Sequence, residues 1–272
     1  MGNCKSKNAE RKLTGTEPSE PKQDASHPSP APETVLPSPE NASPPKEKPK
    51  PMIFAIMRNG HEVIRGSIID VQDHLDKEHL DDAIEAYHRL HKWMEMHKLM
   101  EEGNRDNMTP KGFFSILNEQ FDGLAAKEGM IGDHDDLDDL EKTMDEAIEA
   151  HDIDQIREAF AAFKSENEAH LKKEESIMMP KIMEMTKANV NLKDMMVNEL
   201  LAIVVDLPEF KFFVQHANYI LDTHDGGMPR ARAFDHALWV CATSEQWHLW
   251  NGWIKGAVSE ERYTEIMDAI SF

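Results

Sequence analysis

Apolar residues recur three and four positions apart through four long stretches of this chain, the spacing that lays them along one side of an α-helix. The first stretch, residues 53–75, places Phe54, Met57, His61, Ile64, Ile68, Val71 and Leu75 on one stripe. The second, 80–102, carries Ala83, Tyr87, Leu90, Met94, His97 and Glu101. The third, 130–150, carries Met130, His134, Leu137, Glu141, Met144 and Ile148. The fourth, from 153 to about 183, carries Ile156, Phe160, Phe163, Asn167, His170, Glu174 and Ile177, with Pro180 expected to close it. Polar breaks at Asp76-Lys77-Glu78-His79 and Ala150-His151-Asp152 split the four into two predicted antiparallel hairpins. In all four, a histidine occupies a position on the apolar stripe.

Flanking segments have different patterns. Residues 1–51 hold most of the prolines among Ser, Glu and Lys, with almost no large apolar side chains. Such a segment cannot bury enough apolar surface to offset its ordering entropy, and is expected to be a disordered tail. Between the hairpins, residues 103–110 read as a polar loop. Thr109 before Pro110 then reads as the N-cap of an added helix over 112–127, whose Phe113, Phe114, Ile116, Leu117 and Phe121 should cover one end of the bundle. Residues 188–272 read as a C-terminal helical extension rich in aromatics (Phe210, Phe212, Phe213, Tyr219, Trp239, Trp247, Trp250, Trp253), expected to be core or interface. Within it, Thr243 with Gln246 has the form of a capping box. The Asp225-Gly226-Gly227-Met228-Pro229 run reads as a turn, Cys241 as a buried apolar residue, and His216, His224, His236 and His248 follow no ligand spacing.

The histidine positions are symmetric. His61 and His97 lie 36 residues apart, as do His134 and His170, and Glu101 and Glu174 each follow the second histidine by four. Both midpoints fall in the predicted turns, so each histidine is about 18 residues, or roughly 27 Å of helix, from its own turn. Two hairpins so built bring four imidazoles and two carboxylates to one level, the donor set of a dinuclear metal site. A shift of 73 residues superimposes His61 on His134, Tyr87 on Phe160, Leu90 on Phe163, His97 on His170 and Glu101-Glu102 on Glu174-Glu175. Spacing alone is weak, because H-x-x-x-E also occurs at His74/Glu78 and His91/Glu95. His91 and Glu95 lie off the stripe without a counterpart in the repeat and are the second choice; His74 and Glu78 sit at a helix end and read as surface. Imidazole plus carboxylate suits iron, manganese or zinc, and donor softness does not choose among them.

Composition narrows the setting. The 272-residue chain has a formal charge of −21, so no nucleic-acid partner is expected, and much of the acidity, as at 133–141, reads as solvated helix surface. The two cysteines, Cys4 and Cys241, are too separated for a sensible structural disulfide, which fits a reducing, intracellular compartment. No apolar run reaches the roughly 20 residues needed to span a bilayer, and no secretory h-region is visible near the start. Met1-Gly2-Asn3-Cys4-Lys5-Ser6 matches the N-myristoylation pattern at Gly2, with Cys4 placed for a palmitoyl chain and Lys5, Lys7, Arg11 and Lys12 adding basic charge. The expectation is a cytoplasmic protein, peripherally anchored to a membrane by acylation, with an unacylated soluble tail as the alternative.

Asn59-Gly60-His61-Glu62, residues 97–102, Phe113-Phe114-Ser115-Ile116-Leu117, His134 and His170-Leu171-Lys172-Lys173-Glu174-Glu175 together resemble the hemerythrin-like, HHE cation-binding family over about 52–185. The resemblance implies an all-α, up-down-up-down four-helix bundle over 52–187 holding two iron ions, with Glu101 and Glu174 bridging and the histidines as terminal ligands. The chain departs from oxygen-carrying hemerythrins, which have a second histidine where Asp138 stands and H-x-x-x-x-D where His170 is followed by Glu174. The departure leaves a coordination position open, or filled by Asp138 or Glu175, and puts reversible oxygen carriage in doubt. The pattern is closer to HHE proteins associated as a class with iron or oxygen sensing and redox response.

The expected function is therefore di-iron-based binding or sensing of dioxygen or iron, with the C-terminal helices contacting a protein partner or a second copy. Two alternatives stand beside it: a redox enzyme acting on peroxide, dioxygen or nitric oxide, and a membrane-tethered scaffold with a structural metal.

Overall fold

The computed structural model describes residues 53–103, 111–188, 191–224 and 228–270. The acylation positions Gly2 and Cys4, the Thr109-Pro110 cap and the Asp225-Gly226-Gly227 run lie outside them. Among the described residues the regular secondary structure is helical, joined by short turns, with an isolated bridge between Gly103 and Lys111.

Four long helices follow the predicted stripes: α1 (Ile53–Asp76), α2 (Leu80–Glu102), a third at Met130–Ala150 and a fourth at Ile153–Lys187. The first two pack as one hairpin and the last two as another, and the hairpins meet through α1 against the fourth helix and α2 against the third. The turns share a device: Glu78 (φ 58°) and His151 (φ 52°), themselves 73 residues apart, both adopt the left-handed conformation that ends a helix. The sequence repeat thus extends to backbone geometry. After the second turn, the Asp152 carboxylate accepts from the backbone N–H of Asp154 (3.0 Å) and Gln155 (3.2 Å), opening the next helix.

The added helix between the hairpins is broken rather than continuous. It forms α3 (Phe113–Gln120) and a single turn, α4 (Leu124–Lys127), interrupted where Asp122 and Gly123 take positive φ of 50° and 74°. Phe113, Phe114, Ile116 and Leu117 are buried as the pattern requires, and Phe121 is half-buried. With these labels the long helices of the second hairpin are α5 (Met130–Ala150) and α6 (Ile153–Lys187). α6 does not close at Pro180 but runs through it. An internal proline costs about 3 kcal/mol, while Ile182 and Met185 beyond it are almost wholly buried, worth about 1.5–3 kcal/mol each, so extension is favoured.

The C-terminal region continues through α7 (Leu192–Met195), a π-helical turn (Met196–Leu200), α8 (Leu201–Val204), α9 (Phe210–Thr223), α10 (Met228–Cys241), α11 (Ser244–Ala257) and α12 (Glu260–Ile270). The Thr243 capping box is formed: its Oγ1 accepts from Gln246 N, and Gln246 Oε1 accepts from Thr243 N. Phe210, Phe213, Trp250 and Cys241 are buried, Phe212, Trp239, Trp247 and Trp253 partly so, and Tyr219 is exposed. α9 and α10 lie directly on α1. At the crossing, a Cβ on Gly66 would stand 2.4 Å from Ile220 Cγ2, and Ser67 Oγ lies 2.9 Å from His216 Nε2. Burial holds the His216 imidazole down to about 3, hence neutral.

Two predictions follow from this packing. Gly112 lies against the end of α2, where a Cβ would come within 2.1–2.4 Å of backbone atoms of Glu101, Glu102 and Gly103. Backbone cannot yield as a side-chain tip can, so Gly112→Ala is expected to lower stability in urea unfolding by about 1–3 kcal/mol. Asp235 is wholly buried; Asn218 Nδ2 donates to its Oδ1 at 3.0 Å, and its other oxygen has no partner. Burial pushes its carboxyl up to about 7 against the lowering effect of that bond. The folded chain therefore holds a proton that the unfolded chain has released above about pH 4. Stability from this group is full below that pH and is lost as pH rises through 7. Asp235→Asn is expected to remove this decline, so that the variant gains on the parent between pH 5 and 8 in paired denaturation curves.

Candidate metal centre

Each donor's place follows from helix geometry. His97/Glu101 and His170/Glu174 are i, i+4 pairs, which puts ring and carboxylate on one face of α2 and α6. His61 enters from the middle of α1, and His134 from the second turn of α5. The structure brings all six predicted residues together, each between 0% and 6% exposed.

Two four-residue groups result: His61, His97, Glu101 and Glu174, and His134, His170, Glu101 and Glu174. In each, one potential ligand atom per residue lies within 4.8 Å of the others. The carboxylates belong to both groups. Glu101 directs Oε1 to His97 Nε2 (3.3 Å) and Oε2 to His134 Nε2 (3.3 Å), while Glu174 directs Oε2 to His61 Nε2 (3.3 Å) and Oε1 to His170 Nε2 (3.5 Å). The imidazoles pair edge-on, His61 with His97 at 5.2 Å between ring centres and His134 with His170 at 4.7 Å.

These residues fit a pair of cations. Nε2 of His61 and of His97 and both oxygens of Glu101 and of Glu174 are buried without a hydrogen-bond partner. Orphaned buried acceptors are expensive, and here they converge on two points with the imidazole and carboxylate donors that borderline divalent ions take.

The electrostatics of the cluster show the same demand for positive charge. Burial works to lower His61, but Glu174 and Glu175 overcome it and hold the imidazole up at about 9. His134 is likewise opposed by burial and raised to about 10 by Glu101 and Glu102. Burial, aided by the neighbouring imidazoles, lowers His97 and His170. Burial and the charge of Glu174 push Glu101 up to about 7, whereas Glu174 is held down at about 2 against burial by His170 and His61. Without metal, protons on His61 and His134 stand where cations would.

A second layer of carboxylates faces the outer ring nitrogens. Glu175 lies 3.1 Å from His61 Nδ1, Glu102 2.7 Å from His134 Nδ1 and Asp133 3.7 Å from His170 Nδ1. Arg65 donates to Glu175 (2.8 Å), and Lys173 to Asp133 (2.7 Å). Such partners fix the tautomer and ring orientation of a ligating histidine. The repeated Glu-Glu doublets were the sequence signal for two of them; nothing in the pattern singled out Asp133, which read as solvated surface.

Neither residue considered for the missing coordination position joins the cluster. Asp138 is exposed and pairs with Lys98, and Glu175 belongs to the outer layer. The His91/Glu95 alternative stays outside as well: His91 pairs with Glu141 at 3.1 Å. A cavity of about 580 Å³ between α2 and α5 reaches His97, His134 and His170 and is also lined by Met94, Leu137 and Asn167. On the α3 side the Phe114 ring stacks on His134 at 5.3 Å and closes the centre there.

Comparison with curated proteins and with solved structures gave no match. Residues 52–182 match the family model described as the hemerythrin HHE cation-binding domain. That span contains every residue of the cluster, and over it the chain is similar to the hemerythrin HHE cation-binding domain.

Proposed function

We propose that this chain is an up-down-up-down hemerythrin-like bundle that holds two iron ions and uses them to bind or sense dioxygen or a related small oxidant. One observation carries the reading: two buried four-donor groups share both of their carboxylates. His61 and His97 would serve one ion and His134 and His170 the other, with Glu101 and Glu174 between them. Such a di-iron pair supplies one-electron and two-electron exchange with dioxygen. The chain's own residues do the rest: the outer carboxylates orient the imidazoles, Phe114 excludes water on one side, and the cavity between α2 and α5 admits a small molecule on another. With four protein donors per ion, positions are left for an exogenous ligand.

The cavity also favours a second reading. At about 580 Å³ it exceeds what a diatomic molecule needs, which suits a redox enzyme turning over peroxide, dioxygen or nitric oxide. Acylation at Gly2 and Cys4 and a cytoplasmic membrane location rest on the terminal motif alone; no helix among the described residues is long and apolar enough to cross a membrane. Contact of α9 and α10 with the helix bearing His61 supports a role for the C-terminal helices in transmitting the metal state to a partner, with self-association as the alternative.

Reconstitution with ferrous iron is expected to give two irons per chain by metal analysis, falling to one or fewer in Glu101→Ala. Optical spectra should differ between aerobic and anaerobic samples, and loss of both results in the parent would overturn the reading. Peroxide turnover abolished by His97→Ala would select the enzyme over the sensor. Replacing an outer partner, as in Glu102→Gln, is expected to weaken metal affinity about 10–100-fold without changing stoichiometry, as read by chelator competition.

A further inference from the structure

We propose a second, mononuclear cation site at the closed end of the α1/α2 hairpin, formed by His74, His79 and Asp82 and suited to a zinc-class divalent ion. In sequence His74 pairs with Glu78 as a surface H-x-x-x-E, but the fold gives it a different neighbour. His74 Nδ1 lies 3.9 Å and His79 Nδ1 3.7 Å from the same oxygen, Asp82 Oδ2, and the three ligand atoms are mutually within 4.8 Å. The 73-residue repeat places Ala147, Asp152 and Gln155 at the equivalent positions, so the second hairpin has no such triad.

Three further features point to a ligand. His74 Nδ1 is buried and makes no hydrogen bond. Its other ring nitrogen faces Asp70 at 3.8 Å, and Asp70 is itself held by Arg89 at 3.2 Å. A carboxylate behind an imidazole favours the tautomer that presents the opposite nitrogen to a metal, here across a gap of 3.8 Å that is longer than a hydrogen bond. The turn between the histidines is also tied by its backbone: His79 N donates to His74 O (3.0 Å) and Ala83 N to His79 O (2.9 Å).

Bonds of about 2.0–2.2 Å to zinc bring neighbouring donors to roughly 3.3–3.6 Å. Small rotations of the exposed His79 and Asp82 side chains close the present gaps. Two imidazoles, one carboxylate and open water positions match zinc with three protein ligands. The site is 13 residues along α1 from His61, or roughly 20 Å, so its ion is independent of the dinuclear centre. It would clamp the last turn of α1 to the first turn of α2, in the hairpin that carries His61 and His97.

Zn²⁺ titration of the iron-treated full-length protein against a chromophoric chelator tests the site. The parent is expected to take up one more zinc per chain than His79→Ala or Asp82→Asn, each of which should weaken binding at this site tenfold or more with iron content unchanged. Both positions are exposed and His79 makes no side-chain cap bond, so the variants should fold as the parent does. Equal zinc uptake by parent and variants, or no difference in affinity, overturns the assignment. The difference between parent and variant is read whether or not the iron centre loads, which separates failure of this site from failure of the di-iron reading.

Discussion

Two carboxylates buried among helices, with no hydrogen bonds to either oxygen pair, set the terms for everything around them. Glu101 is 3% and Glu174 0% exposed, and an ionised carboxylate removed from water without compensation costs several kcal/mol. Positive charge has to be supplied at the same depth. Lysine and arginine are absent from the cluster; the compensating groups are four imidazoles, which act either as proton carriers or as metal ligands. The centre therefore concentrates negative charge at depth, and the same charge raises His61 and His134 against the lowering effect of their own burial.

Access to that charge is uneven. Phe113, Phe114 and Leu117 of α3 are buried against one end, and Trp93 on α2 stacks on Phe213 of α9 at 4.0 Å. The α2/α5 side is different, because a cavity lined by Lys98, Asp138, His91 and Glu141 together with Met94, Leu99 and Leu137 leads inward there. The cavity reaches both histidines of one four-donor group but only His97 of the other. The two four-donor groups thus face the cavity unequally, although the sequence that carries them is nearly symmetric.

The helices and the cluster were legible because both obey simple periodicities. The 3.6-residue stripe defined four helices, and equal distances from two turns levelled His61 with His97 and His134 with His170. Local rules failed where tertiary packing decided the outcome. Pro180 has a helix-ending signature, yet burial of Ile182 and Met185 carries α6 through it. The 112–127 segment has one helical pattern, but Asp122 and Gly123 break it. Asp133 looked like one more acid on a solvated face, and only the approach of α5 to α6 turns it toward His170. The His74 triad was invisible for a related reason: Asp82 belongs to the next helix, and helical spacing links His74 to Glu78 instead.

α1 shows why the matched domain and the helices after it are physically one problem. A surface helix of a bundle needs one apolar stripe, but α1 has two. Met57, His61, Ile64, Val71 and Leu75 face the bundle, while Ile56, Val63, Gly66, Ser67 and Asp70 form a second buried line. That second line meets α9 at Gly66/Ile220 and Ser67/His216, and His224 at the end of α9 faces Asp70 at 3.5 Å. Removing α9 would open the close contact at Gly66 and leave Ser67 without its His216 partner. Because α1 is a single rigid element, a shift of α9 against Gly66 moves the helix that carries His61. The C-terminal helices are thereby mechanically coupled to one half of the donor cluster, and α5, which carries His134, has no comparable contact with them.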